Sequence, residues 1–379
     1  MSSRLPDPPA SPLDLFLALV QIGSPSGQEG ALVAAIGDWL EAAGVTFAVD
    51  DAAAVTGSDT GNLVVRAWRS ADRPTVLFLA HLDTVQRPGS VIRPVVGEDG
   101  VIRSSGDTIL GADNKAAVAA LLTLLTRGRP EHANAVIAFT TTEERGRMGV
   151  ASLDLAEEVD YAFPVDGSYP VGTALEAALG QVPFDLRIHG REAHAAKDPE
   201  KGIHAIKVAS DIVARLSLGW SESALLNVSE IRGGSETNVV PGFAEIRGEA
   251  RAYSQAALDA RLAELEAIAG EVSGAAGARY ELRRRPEDGA PPFPPAESAA
   301  CTRIATAAAD DVGLTLSRER CVATLEANFL AGMGLPTVGI ASGGRDPHST
   351  QESLPVRELD RLVALLDAIL CRAGTPSAA

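Results

Sequence analysis

Two strongly apolar runs, Thr75–Ala80 and Asn134–Thr140, constrain this 379-residue chain more than any other feature. Between them lies Asn114–Leu125, a longer segment rich in Ala and Leu. Short apolar runs with β-branched residues read as strands buried on both faces, and the longer Ala/Leu segment reads as a buried helix. Asn62–Ala67 is a further strand before them, and Tyr161–Val165 is another after them. Strands alternating with helices imply an α/β sheet covered on both faces. A first helix is marked near residue 26, where Ser26 and Glu29 have the spacing of a capping box. Leu32, Ile36, Trp39 and Leu40 then recur at helical spacing, and Gly44 can end that helix.

The pattern changes after about residue 178. Gln181–His189 alternates like a strand with one solvated face, Gly202–Leu216 is an amphipathic helix, Ala244–Arg251 alternates again, and Ala256–Ile268 is helical. Arg279–Arg284 reads as one more strand. Arg285–Pro295, with five prolines and one glycine, looks like a return linker. The expected organisation is α/β: a catalytic domain with a mixed sheet flanked by helices (1–178 and 292–379), interrupted by a smaller α+β domain at 179–291.

Composition narrows the function classes. Hydrophobic residues make up 46% and charged residues 22%, ordinary for a globular protein, while aromatics at 4% leave the core to Ala, Val, Leu and Ile. A formal net charge of -17 argues against nucleic acid and anionic membranes, both of which call for basic patches. The three cysteines (Cys301, Cys321 and Cys371) are widely spaced with no CxxC, so free thiols in a reducing compartment are expected. Met1–Ala10 is polar and Pro-rich. The apolar run Leu13–Val20 is too short to span a membrane, which needs ~18 residues or more. A soluble, cytoplasmic protein is expected.

Polar residues gather where the strands end. His81, Glu143 and Asp166 each follow an apolar run closely, at the edge where open α/β sheets assemble their sites. His81 and Asp83 are two apart, so an extended backbone puts both on one face. Taken singly, each signal is weak: a lone His near a strand end is commonly structural, Asp113 can be a helix N-cap, Glu143-Glu144 can be a solvated loop, Asp166-Gly167 is an ordinary turn, and His348 sits in a loop. Jointly, two imidazoles (His81, His348) and three carboxylates (Asp113, Glu144, Asp166) suit a pair of Zn²⁺-like ions, with Glu143 left over to move protons. Asp113 as a bridge holds two cations ~3.5–4 Å apart. One ion is expected on His81 and Asp166, the other on Glu144 and His348. Asp83 is expected to accept a hydrogen bond from the far nitrogen of His81. Water between the ions, acidified toward pKa ~7, is the expected nucleophile, with Glu143 taking its proton and returning it to the leaving amine. Co²⁺ and Mn²⁺ also tolerate this donor set.

Several segments together resemble the dinuclear-zinc family of peptidase T, the glutamate carboxypeptidases, the aminoacylases and succinyl-diaminopimelate desuccinylase. They are Ser24–Glu29, His81–Val85, Leu110–Lys115, Thr142–Glu144, Gly190–Ala195, Thr237–Pro241 and His348–Glu352, in order over nearly the whole chain. The resemblance implies a lid domain that often forms the dimer interface, hence a homodimer through the lid. It implies that His194 helps hold the oxyanion, and that Asn238 and Arg251 contact the substrate's terminal carboxylate or backbone. Asp166, where deacylases and glutamate carboxypeptidases of the group generally carry Glu, resembles the peptidase T branch. Asn114 stands where the family most often has Asp. Thr324–Asn328 stands where it often carries a Ser/Thr-Asp pair.

Three functions are compatible with these residues. The first is a two-metal exopeptidase acting on di- or tripeptides with a free N-terminus. The second keeps the metals but hydrolyses an N-acyl amino acid or a C-terminal residue, with Arg251 gripping a carboxylate. The third is a catalytically silent dimeric binding protein on the same fold. The intact set of Glu143 and five ligands favours an enzyme.

Overall fold

A computed structural model describes residues 4–127, 133–155, 158–221 and 223–374. Met1–Ser3 of the Pro-rich N-terminus and residues 375–379 of the C-terminal tail lie outside the described residues. The chain divides into two compact units: 1–177 with 295–321 and 325–379, and 178–294 with 322–324.

The first unit is built on strands β1 (Phe47–Val49), β2 (Leu63–Ala67), β3 (Thr75–His81), β4 (Asn134–Thr140) and β5 (Tyr161–Pro164), in the order β1-β2-β4-β3-β5. β3 is parallel to both neighbours, whereas β2 pairs antiparallel with β1 and β4. Period-two alternation splits the side chains of one strand between two cores. Val76, Phe78 and Ala80 enter the larger cluster, with Leu15, Leu32, Leu121, Ala305 and Leu366 from five helices (Pro12–Leu19, Gly30–Ala42, Ala112–Leu125, Ala299–Asp311, Val356–Ala373). Leu77 and Leu79 enter the opposite cluster, with Val150, Leu153 and Leu330. Burial on both faces explains why β3 and β4 read as continuous apolar runs. All seven residues of β4 are buried.

The second unit holds β6 (Gly180–His189), β7 (Ala193–His194), β8 (Gly219–Trp220), β9 (Ala224–Gly233), β10 (Val239–Val240), β11 (Phe243–Ala252) and β12 (Arg279–Arg284). Five of these form an antiparallel sheet in the order β8-β9-β11-β6-β12. The helices Ala205–Arg215 and Gln255–Ala276 contribute Ile212, Leu258 and Leu262 to the cluster that covers Val182, Phe184, Leu186 and Ile188 of β6. The alternate positions carry ion pairs, among them Arg187–Glu245 at 3.0 Å and Arg251–Glu249 at 2.8 Å.

Three local expectations are corrected. The Ser26/Glu29 pair is not a capping box: the helix starts at Gly30 with no side-chain cap, and both side chains bond elsewhere. The second helix of the smaller unit runs to Ala276 rather than Ile268, because Gly270 and Gly274 are accommodated and only Gly277, at φ 68°, stops it. β9 was not expected, since its residues are mostly half-exposed or exposed and give a faint alternation. Among the described residues no helix is long and apolar enough to cross a membrane.

The Ala112–Leu125 helix packs between the sheet and other helices, and Leu121 is fully buried. Leu121→Ala is expected to cost about 2–5 kcal/mol through lost burial and a residual cavity. Val55→Ala, at a 63% exposed position, should stay within about 0.5 kcal/mol. Urea denaturation of the two variants measures both.

Candidate metal centre

The carboxyl ends of the parallel strands deliver the site, as expected for an open α/β sheet. His81 is the last residue of β3, Glu143–Arg145 form a single 3₁₀ turn after β4, and Asp166 follows β5 by two residues. Asp113 lies at the start of the Ala112–Leu125 helix, where Asp113 and Asn114 are themselves non-helical. His348 sits in the loop after Gly339–Ile340. Four backbone positions here occupy the left-handed region without being glycine: Thr142 at φ 57°, Arg147 at 58°, Asp346 at 51° and His348 at 62°. Such conformations cost about 1–3 kcal/mol each and persist where surrounding contacts impose them.

Three trios of donor atoms, each mutually within 4.8 Å, lie among the described residues: His81–Asp113–Asp166, His81–Glu143–Glu144 and Asp113–Glu144–His348. The first and third share Asp113. His81 Nε2 is 3.2 Å from Asp113 Oδ1, and His348 Nε2 is 3.4 Å from Asp113 Oδ2 and 2.8 Å from Glu144 Oε1. The two oxygens of Asp113 thus face different imidazoles. All five residues expected as ligands come together, with Glu143 beside them. Imidazole nitrogens and carboxylate oxygens are the donor set of Zn²⁺ and similar divalent ions, so these residues can hold metal.

Asp83 does more than was expected of it. Its Oδ1 accepts the Glu143 N–H at 2.9 Å, and its Oδ2 accepts the Glu144 N–H at 3.1 Å and the Ser26 hydroxyl at 2.5 Å. The far nitrogen of His81 is closer to the Asp83 backbone carbonyl (3.0 Å) than to its carboxylate (3.5 Å). One buried side chain therefore ties the β3 end to the Glu143-Glu144 turn. Glu29 acts alongside it, accepting the Gly27 N–H at 2.9 Å, the Ser58 hydroxyl at 2.5 Å and the Thr142 N–H at 3.0 Å. Asn114 donates to Val165 O at 2.7 Å and so joins the Asp113 segment to the Asp166 strand. Lys115 Nζ donates to Ile22 O at 2.7 Å. Of these braces, Glu29, Ser26, Asn114 and Lys115 were legible only as members of motifs, because their partners lie far off in the chain: Ser58 and Thr142 for Glu29, Asp83 for Ser26, Val165 O for Asn114 and Ile22 O for Lys115.

The electrostatics follow from crowding carboxylates in a dry place. Burial disfavours the charge on His81, but hydrogen bonds to Asp113 and Asp83, with the Glu143 charge nearby, outweigh it and raise its pKa well above the ordinary value. Hydrogen bonds to Asp113 and Glu144 carry His348 up to about 10. Burial pushes the Asp166 carboxyl up to about 6, with Asp113 adding to the rise. Burial likewise raises Glu143 well above the carboxylate range, although the charges of His81 and Arg147 oppose it. Burial works against the charge on Asp83 too, but the His81 hydrogen bond prevails and holds it low. Burial lowers the Lys115 ammonium to about 7. Such a cluster demands cations, whether protons or metal ions.

The other three expected residues belong to the second unit. His194 pairs with Val239 in the β7–β10 ladder, and the Ala195 N–H donates to Asn238 O at 2.9 Å, so His194 and Asn238 are neighbours in one ribbon. His194 Nδ1 accepts the N–H groups of Ala196 and Lys197 at 3.2 and 3.3 Å. That assigns the proton of a neutral ring to Nε2 and makes it a donor. Arg251 lies on the polar face of β11, paired with Glu249.

Comparison with known proteins agrees with this architecture. Residues 178–276 match the peptidase dimerisation domain of the M20 family. YqjE of Bacillus subtilis, an uncharacterized protein, is 32% identical over 363 residues, covering 94% of this chain and 97% of its own. The crystal structure of the aminopeptidase PepT from Bacillus cereus superposes with a TM-score of 0.86 at 31% identity, over 96% of this chain and 98% of that one. A tripeptidase from Staphylococcus aureus superposes at 0.84 and 28% identity, over 96% and 98% of the two chains. With near full-length relatives above 30% identity and the family's dimerisation domain set into a mixed α/β fold, the chain belongs to the M20 family of metal-dependent peptidases and related hydrolases.

Proposed function

We propose that the protein is a two-metal exopeptidase that hydrolyses di- or tripeptides with a free N-terminus. The observation that carries this reading is the pair of donor trios that share Asp113 through its two oxygens. One cation is assigned to His81 and Asp166, the other to Glu144 and His348, with Asp113 between them. Zn²⁺ is the expected ion, and Co²⁺ or Mn²⁺ fit the same donors. When bound, the ions acidify water and polarise the scissile carbonyl. Glu143, 4% exposed and held by Asp83 through its backbone, takes the proton of the attacking water and returns it to the leaving amine. Asp83 and Glu29 keep the loops rigid so that the donors stay in place. His194, with Nε2 as a donor, is assigned to the oxyanion, and Asn238 and Arg251 to the substrate's backbone or terminal carboxylate. The unit at 178–294 is assigned as a lid that pairs two chains into a homodimer, and the protein is placed in the cytoplasm. The peptide preference is supported by the PepT and tripeptidase relatives and by Asp166 at the fourth ligand position.

A panel of unblocked and N-acylated tripeptides, offered to zinc- or cobalt-loaded protein, tests the substrate class. Turnover of the unblocked peptides is expected, and turnover of only the acylated ones would assign a deacylase instead. Glu143→Gln should lower kcat by about 10²–10⁴-fold while metal content stays that of the wild type. A variant that retains near wild-type kcat would remove Glu143 from the proton-transfer role.

Metal uptake should also expel protons. In metal-stripped protein His81 and His348 are protonated at neutral pH, since both pKa values are raised, and ligation requires the neutral rings. Proton release on Zn²⁺ addition, measured by calorimetry in buffers of different ionisation enthalpy, is therefore expected. Apparent affinity should rise with pH until the imidazoles have lost their protons, near pH 10 for His348. Affinity independent of pH between 6 and 8, roughly where unshifted imidazoles titrate, would contradict ligation by these imidazoles.

A further inference from the structure

We infer that Glu352 is a positioning residue that sets the Asp113 segment against the His348 loop, and thereby governs uptake of the metal pair. The inference rests on the metal centre proposed above.

Glu352 is 2% exposed, and its carboxylate accepts three backbone N–H groups of one segment. Oε2 accepts from Leu110 and Gly111, both at 2.7 Å, and Oε1 accepts from Asp113 at 2.9 Å. Gly111, at φ 74°, turns the backbone so that these N–H groups converge, forming a nest for one anion. Charge-assisted bonds of this kind are the strong ones, and each buried N–H would be costly to leave without an acceptor. The buried Lys115 ammonium, two residues past Asp113, interacts favourably with the Glu352 charge.

Glu352 also belongs to the loop that carries His348. That loop closes on itself where Arg345 and Ser353 exchange backbone hydrogen bonds of 2.9 and 3.1 Å. The strand that follows, Ser353–Pro355, pairs with Val101–Ser104. Glu352 therefore stands at the base of the His348 loop while gripping the backbone of Asp113. The 3.4 Å approach of His348 to Asp113 spans the two segments that this carboxylate joins. Asp113 serves both proposed cations and His348 only one, so loosening the grip displaces the shared ligand and the second-ion ligand relative to each other.

The test is cobalt titration of metal-stripped full-length protein, followed by visible absorption, with unfolding curves recorded beside it. Wild type, Glu352→Gln and Glu352→Asp are compared. Gln keeps the size but turns an NH₂ toward backbone donors, and Asp keeps the charge but is one methylene short of all three N–H groups. Both variants should bind cobalt about 10–100-fold more weakly, with an altered spectrum. Raising the metal concentration should restore part of the activity. Wild-type affinity and spectrum in either folded variant would overturn the proposal. In particular, a wild-type-like Glu352→Asp beside a weakened Glu352→Gln would assign the effect to charge alone. If Glu352→Gln does not fold, Glu352→Asp decides by the same criterion. Wild-type protein that takes up no cobalt would instead overturn the metal centre beneath the proposal.

Discussion

Anionic crowding at the carboxyl edge of the sheet is the constraint on which the rest depends. Asp83, Asp113, Glu143, Glu144 and Asp166 are packed around two imidazoles, of which His81 is buried and His348 half-exposed. Mutual repulsion in such a place is relieved by cations, and without metal the relief comes from protons: His81, His348, Glu143 and Asp166 all have raised pKa values. The parallel strands β3, β4 and β5 exist to bring these groups to one edge. The apolar filling of those strands is what holds the edge together against the repulsion.

Rigidity comes from a second set of carboxylates that accept backbone N–H bonds rather than offering themselves to an ion. Asp83 holds the Glu143-Glu144 turn, Glu29 holds the Thr142 N–H, and Glu352 holds the segment of Asp113. One of these bonds, from Glu29, falls on Thr142, whose backbone lies in the left-handed region. Each ligand segment is tied to another segment distant in the chain, so the donor geometry is a property of the folded unit and not of any one loop. This is the arrangement a pre-organised site requires.

Much of this is legible in the sequence. β3 and β4 announce themselves because burial on both faces demands continuous apolar residues, and the helix Gly30–Ala42 because Leu32, Ile36, Trp39 and Leu40 share a face. The grouping of His81, Glu144 and Asp166 follows from their placement after strands, and that of Asp113 and His348 from the resemblance of their segments to the dinuclear-zinc family. What escaped was of two kinds. β9 was missed because most of its residues, beside the two-residue edge strand β8, are half-exposed or exposed and carry little hydrophobic signal. Ser26 and Glu29 were misassigned because their capping spacing is satisfied equally by long-range partners, Asp83, Ser58 and Thr142, that local sequence does not reveal. The hydrogen bonds of Glu352 to residues about 240 positions away are of the same kind.

Anomalous diffraction at the zinc edge, from crystals of protein loaded with Zn²⁺, tests the central claim most directly. Two peaks about 3.5–4 Å apart are predicted, on either side of the Asp113 carboxylate, one in reach of His81 and Asp166 and the other in reach of Glu144 and His348. A single peak, or peaks that leave Asp113 uncoordinated, would contradict the account.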